Sequence, residues 1–172
     1  MQTYTASDSQ TVHVKVIGKG PAAIFLHAWT SSHRDWLHSA HALADEHCCY
    51  CWDARGHGGH PLTVDKEPGV GRMADDLNDL IRHFELRKPL LPGHSMGALT
   101  IWKYIRRYGC DNIGKLCFVD QLPKLITDES LHADFCDYPP ANGESICCAL
   151  LGCTPLLSIS GYASCAVVEN AF

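Results

Sequence analysis

The pentapeptide Gly93-His94-Ser95-Met96-Gly97 constrains this chain more than any other stretch of it. It is entered from the run Pro89 to Pro92 and is followed by apolar residues at helical spacing from about Gly97 to Tyr108. A serine set between a strand and a helix within five residues needs a sharp, strained turn. A glycine on either flank lets the two elements approach with no Cβ between them. Such a turn lifts the hydroxyl above the sheet edge, while the helix beneath it presents unpaired N–H groups and its positive dipole end. This is chemistry for a nucleophile and a developing oxyanion, and it demands an architecture in which strands run directly into helices.

The rest of the chain up to about residue 120 meets that demand. Thr11 to Ile17 alternates, with Val12, Val14 and Val16 on one face, as in a half-buried strand. A turn at Gly18-Lys19-Gly20-Pro21 leads to the continuous apolar run Ala22 to Leu26, which reads as a strand covered on both faces. Arg34 to His47 carries Trp36, Leu37, Ala40, Leu43 and Ala44 at helical spacing. A second apolar run, Cys48 to Trp52, ends at Asp53 and a Gly-rich stretch. Val70 to Leu86 then puts Met73, Leu77, Leu80, Ile81 and Phe84 on one helical stripe, with Asp75, Asp76 and Asp79 largely off it. Leu116 to Val119 is a further short strand. Two early strands followed by repeated strand–helix units predict an α/β fold, a mostly parallel sheet with helices on both faces.

Composition narrows the function. A formal net charge of -5 gives no basic surface for nucleic acid or anionic lipid. The polar N-terminus lacks the apolar run of a secretory signal, so a cytoplasmic, reducing setting is expected, and the ten cysteines are read as thiols. Cys48, Cys49 and Cys51 are expected to be strand cysteines packed like small apolar residues. No cysteine or histidine spacing suits a structural metal, and no metal is expected. Residues 1–138 read as one part of the chain and 139–172 as another. In the second, the charged residues are Glu144 and Glu169 alone, and Cys147, Cys148, Cys153 and Cys165 crowd together. Its Thr, Ser, Gly and Pro residues dilute it below a convincing membrane span.

Three segments in order resemble the α/β-hydrolase family. Leu26-His27-Ala28-Trp29 is similar to the family's loop after the third strand, and Asp53-Ala54-Arg55-Gly56-His57-Gly58 to its segment after the fourth. Gly93-His94-Ser95-Met96-Gly97 is similar to its nucleophile elbow. Phe118-Val119-Asp120-Gln121 resembles the sixth strand of members that are esterases or cofactor-free peroxidases. The resemblance implies an N-terminal α/β-hydrolase half with Ser95 as nucleophile and the backbone N–H groups of Trp29 and Met96 as oxyanion hole. It implies a small ester as substrate and no cofactor. His27 is expected to sit behind the oxyanion loop and, with His94, to border the pocket. His57 is expected to bond local backbone, and His60 to be exposed. Ala28 stands where the family has glycine, which adds strain if that position needs φ > 0. Pro92 removes one ladder donor, tolerable at a strand end.

The family's triad runs Ser, then Asp or Glu, then His. No seventh or eighth strand is evident in this sequence. Asp120 is the candidate acid and His132, the one histidine after Ser95, the candidate base. The chain therefore reads as a hydrolase core, truncated or altered toward its C-terminus, with impaired acyl transfer. The alternatives are a non-catalytic binding protein of the same fold and an inactive gene product.

Overall fold

The computed structural model describes residues 1–62, 69–119 and the backbone of 165–169. The strands are β1 (Gln2–Thr5), β2 (Thr11–Gly18), β3 (Ala22–Phe25), β4 (Cys48–Asp53), β5 (Leu90–His94), β6 (Lys115–Val119) and β7 (Cys165–Glu169). The helices are α1 (Leu37–Leu43), preceded by a 3₁₀ turn over His33–Trp36, then α2 (Val70–His83) and α3 (Met96–Tyr108). The seven strands among the described residues form one sheet in the order β1-β2-β4-β3-β5-β6-β7. The inner four, β4-β3-β5-β6, are parallel, whereas β1–β2, β2–β4 and β6–β7 are antiparallel. The expected α/β architecture is present.

The strand sequences show why both faces are covered. In β3, Ala23 and Phe25 point to one side and Ile24 to the other, and β4 alternates likewise, with Cys49 and Cys51 opposite Trp52. The Cys49 and Cys51 side packs under the 3₁₀ turn through Trp36 and under α1 through Ala40 and Leu43. The Ile24 and Trp52 side packs under α2 and α3, through Met73, Leu77, Leu80, Ile101 and Ile105. Cys48, Cys49 and Cys51 are unbridged thiols within this packing, and burial pushes the Cys51 thiol up to about 12.

Two strands escaped the sequence reading. β1 lies in the polar run Gln2–Thr5, where Tyr4 alone is buried; its hydroxyl donates to the Asp76 carbonyl at 2.9 Å. β7 lies in the segment for which no seventh strand was evident, and it runs antiparallel to β6. Among the described residues no helix is long and apolar enough to cross a membrane.

The strand order places the site. From β3 the chain moves to β4 on one side, then returns through α2 to β5 on the other. The loops leaving β3 and β5 therefore part in opposite directions and leave a crevice at the carboxyl ends of the parallel strands.

Candidate active site

Ser95 occupies that crevice at the head of α3, with φ 48 and ψ -109. A non-glycine residue at positive φ is strained, and the surroundings hold it there. Its N–H donates to the Val119 carbonyl at 3.2 Å, and its carbonyl accepts from Leu99 N–H at 3.0 Å. The flanking glycines are required by contact. A Cβ on Gly97 would lie 2.3 Å from the Leu26 carbonyl oxygen, and one on Gly93 would lie 2.6 Å from Ile101 Cδ1. Met96 is the first helical residue, so its N–H has no intrahelical acceptor.

The loop carrying Trp29 begins against the elbow. Leu26 N–H donates to the Pro92 carbonyl at 2.9 Å, and His94 N–H donates to the Leu26 carbonyl at 3.0 Å. Pro92 thus loses a donor but keeps a used acceptor. His27 is fully buried: Nε2 accepts Ala54 N–H at 3.0 Å, and Nδ1–H donates to the Ala28 carbonyl at 2.7 Å. Desolvation holds its pKa below the ordinary histidine value. The ring therefore sits behind the loop and not on the pocket surface. Ala28 is outside the positive-φ region, so the strain foreseen there does not arise. Thr30, at φ 58, takes the left-handed conformation instead. Trp29 is about half exposed, its indole edge-on to His57 with ring centroids 5.1 Å apart. His57 Nδ1–H donates to the Arg55 carbonyl at 3.0 Å, the local role expected for it. His94 is half-buried beside Ser95. Asp120 and His132, the candidate acid and base, lie outside the described residues.

The segment leaving β4 holds groups that sequence reasoning missed. The carboxylate of Asp53 is enclosed, with no side-chain exposure. It accepts the His33 N–H at 2.7 Å and the His33 ring Nδ1–H at 2.9 Å, and His60 Nε2–H at 3.1 Å from the other side. Burial pushes this carboxyl up, but the hydrogen bonds from His33 outweigh it and the net shift is downward. His60 is half-buried, in contrast to the exposure expected, because it pairs with Asp53 and stacks on His13 at 3.5 Å. Gly58, at φ +67, leaves room for the carboxylate, since a Cβ there would lie 2.4 Å from Asp53 Cγ. Arg55 is buried on a fork of its own. Nε and Nη2 each reach Asp76 at 2.6 Å, and Nη1 reaches Asp8 at 2.8 Å. Asp76, counted off the helical stripe, is fully buried on it. Among the described residues no group of three or more His, Cys, Asp or Glu is arranged to hold a metal ion.

The family model of the alpha/beta hydrolase fold matches residues 21–143. The chain belongs to the α/β-hydrolase family. It is 28% identical over 135 residues to the non-heme chloroperoxidase CPO-A1 of Kitasatospora aureofaciens, covering 78% of this chain and 49% of that protein. It is 29% identical over 118 residues to the pimeloyl-[acyl-carrier protein] methyl ester esterase of Chromobacterium violaceum, covering 68% and 43%. Among solved structures, an esterase from Exiguobacterium antarcticum superimposes with a TM-score of 0.62 at 26% identity, over 67% of this chain and 43% of that one. The α/β-hydrolase chain spans about half the length of these relatives.

Proposed function

We propose that the chain carries the nucleophile half of a serine hydrolase acting on a small ester, with Ser95 as the attacking group. The observation that carries this reading is Ser95 at φ 48, ψ -109, set at the head of α3 between two glycines that admit no Cβ. In the reaction, Ser95 Oγ bonds to the ester carbonyl carbon and passes its proton to a base. The carbonyl oxygen becomes an oxyanion, facing the N–H groups of Met96 and Trp29. The intermediate then expels the alcohol, and water releases the acid from the acyl-enzyme. Two converging donors suit that oxyanion, each worth roughly 10²–10³ in rate.

The base is the weak member. His132 is the one histidine following Ser95, with Asp120 the acid the reading assigns to it. Without a well-placed base the serine hydroxyl stays protonated and a poor nucleophile at neutral pH. The 172-residue chain is therefore expected to hydrolyse a short activated ester slowly or not at all. The test is p-nitrophenyl acetate hydrolysis with Ser95→Ala and His132→Ala, together with labelling by a fluorophosphonate probe. Robust turnover lost in Ser95→Ala contradicts the expected impairment, and its further loss in His132→Ala assigns the base. Stable, folded protein with neither turnover nor labelling favours the second reading, a binding protein on a hydrolase fold. That reading draws its support from the scarcity of histidine after the elbow.

A further inference from the structure

The loop bearing Trp29 is fastened at two points, and both fasteners come from the end of β4. At its start, the His27 ring takes the Ala54 N–H and gives its own proton to the Ala28 carbonyl. At its end, Asp53 takes both the backbone N–H and the ring proton of His33. The residues between the anchors include Thr30 in the left-handed region, and Ser31 N–H closes a turn on the Ala28 carbonyl at 3.3 Å. A strained loop of this kind keeps one setting only if its ends are over-determined. The second anchor is the unusual one, because an enclosed carboxylate is devoted to it. Asp53 is sealed by Gly58 on one side and His60 on another. A carboxylate without water must keep its donors, so releasing His33 leaves a buried charge poorly satisfied.

We propose that His33 is a positioning residue: clamped to Asp53, it fixes the loop that aims the Trp29 N–H. The proposal rests on the reading of Trp29 as an oxyanion donor. His33 touches no reacting atom and acts through the loop. Its side-chain role and its backbone role are separable. His33→Ala removes the ring proton alone. His33→Pro removes the N–H as well, and it suits this site, since His33 opens a 3₁₀ turn and Ser32 before it is extended at φ -160, ψ 177.

The experiment is backbone ¹⁵N relaxation on the full 172-residue chain, paired with the rate of Ser95 labelling by a fluorophosphonate. In the wild type, residues 29–32 are expected at order parameters near the rigid value of about 0.85. In His33→Pro they should fall below about 0.6, with an intermediate drop in His33→Ala, while β3 and β4 stay rigid. His33→Asn, whose amide can still donate to Asp53, should restore most of the order. His60→Ala, which frees the same carboxylate from a group outside the loop, should leave residues 29–32 unchanged. Labelling should slow by about 10²-fold in His33→Pro, as a misplacement near 1 Å predicts. Order parameters for 29–32 that match the wild type in His33→Pro overturn the proposal. So does an equal loss of order in His60→Ala, which would make the effect one of Asp53 burial in general. A loosened loop with unchanged labelling keeps the clamp and sinks the reading of Trp29 as oxyanion donor. A wild type never labelled at Ser95 sinks the nucleophile reading, and the order parameters still judge the clamp.

Discussion

Two turns at the carboxyl edge of the sheet solve opposite problems. The elbow after β5 stores backbone strain at Ser95 and keeps it with contacts that only glycine permits on either side. The turn after β4 stores buried charge, Asp53 and Arg55, and keeps it with donors and acceptors brought from elsewhere in the chain. Strain there presents the Ser95 side chain at the head of α3, and charge here holds other segments in place. Asp53 grips the start of the 3₁₀ turn, while Arg55 ties the β1–β2 turn to α2 through Asp8 and Asp76. If this contrast holds, damage to the second turn should cost stability first, and damage to the serine should cost almost none.

The largest effect is expected at Arg55. Removing one partner of a buried ion pair leaves the other charged and unsatisfied, which costs about 3–5 kcal/mol. Arg55→Ala should therefore lower the urea midpoint by that equivalent, since Asp76 is fully buried and loses its bidentate partner. A loss under about 1 kcal/mol would mean that Arg72, 3.1 Å from the same carboxylate, already suffices, and the contrast between the turns would weaken.

Next comes Gly97→Ala. The added methyl meets the Leu26 carbonyl, a backbone atom that cannot swing aside. Overpacking of this kind costs roughly 1–3 kcal/mol. The strand and helix must separate, so Ser95 labelling should fall with stability. A stable Gly97→Ala protein that still labels would show that the elbow is looser than its contacts imply.

The acid limb of the stability curve sharpens the comparison further. Hydrogen bonds from Arg55 hold Asp8 at about 2, and those from His33 hold Asp53 below the ordinary carboxylate value. A carboxylate depressed in the folded state contributes stability that is present above its unfolded value, near 3.9, and lost as pH falls through the folded one. Each unit of depression corresponds to about 1.4 kcal/mol. Urea midpoints should thus fall in two stages, a first loss below about 6.5 as the buried, neutral His27 ring is forced to charge, and a second from about 4 toward 2 as these carboxylates protonate. Asp53→Asn should start lower at neutral pH and decline less steeply. Equal slopes in the two proteins would remove Asp53 from the acid response.

What the sequence disclosed follows the same division. The elbow is local: five consecutive residues with a strand before and a helix after encode both the φ of Ser95 and the close approach at Gly97. Period-two and helical patterns disclosed the inner strands and α2 to within a few residues, because each buries a continuous apolar face. The turn after β4 was matched as a segment, yet its roles stayed hidden because its partners are remote in sequence. His33 lies 20 residues before Asp53, and Asp76 lies 21 after Arg55. Asp76 misled for a further reason. A charged residue on a helix is assumed to face water unless a buried guanidinium is already known to await it. β1 was missed because Tyr4 is its one buried residue, too little for a periodic signal.

The smallest expected effect has the opposite sign. Ser95 adopts φ 48 without the freedom of glycine, so Ser95→Gly should relieve the strain and raise stability by about 1 kcal/mol. Ser95→Ala keeps the Cβ and the strain, and it should leave stability within about 0.5 kcal/mol of wild type. Both abolish fluorophosphonate labelling, so activity cannot tell them apart and the urea midpoint can. The extra backbone entropy of glycine in the unfolded chain works against the gain and sets a floor to what can be observed. If Ser95→Gly is no more stable than Ser95→Ala, the strain at φ 48 is worth no more than that entropy, about 0.4–1 kcal/mol. The elbow would then be an ordinary turn that happens to carry a serine. A clear gain in Ser95→Gly alone would mean that the fold gives up stability at this one residue to present its hydroxyl, while Asp53 and Arg55 hold the surrounding loops for it.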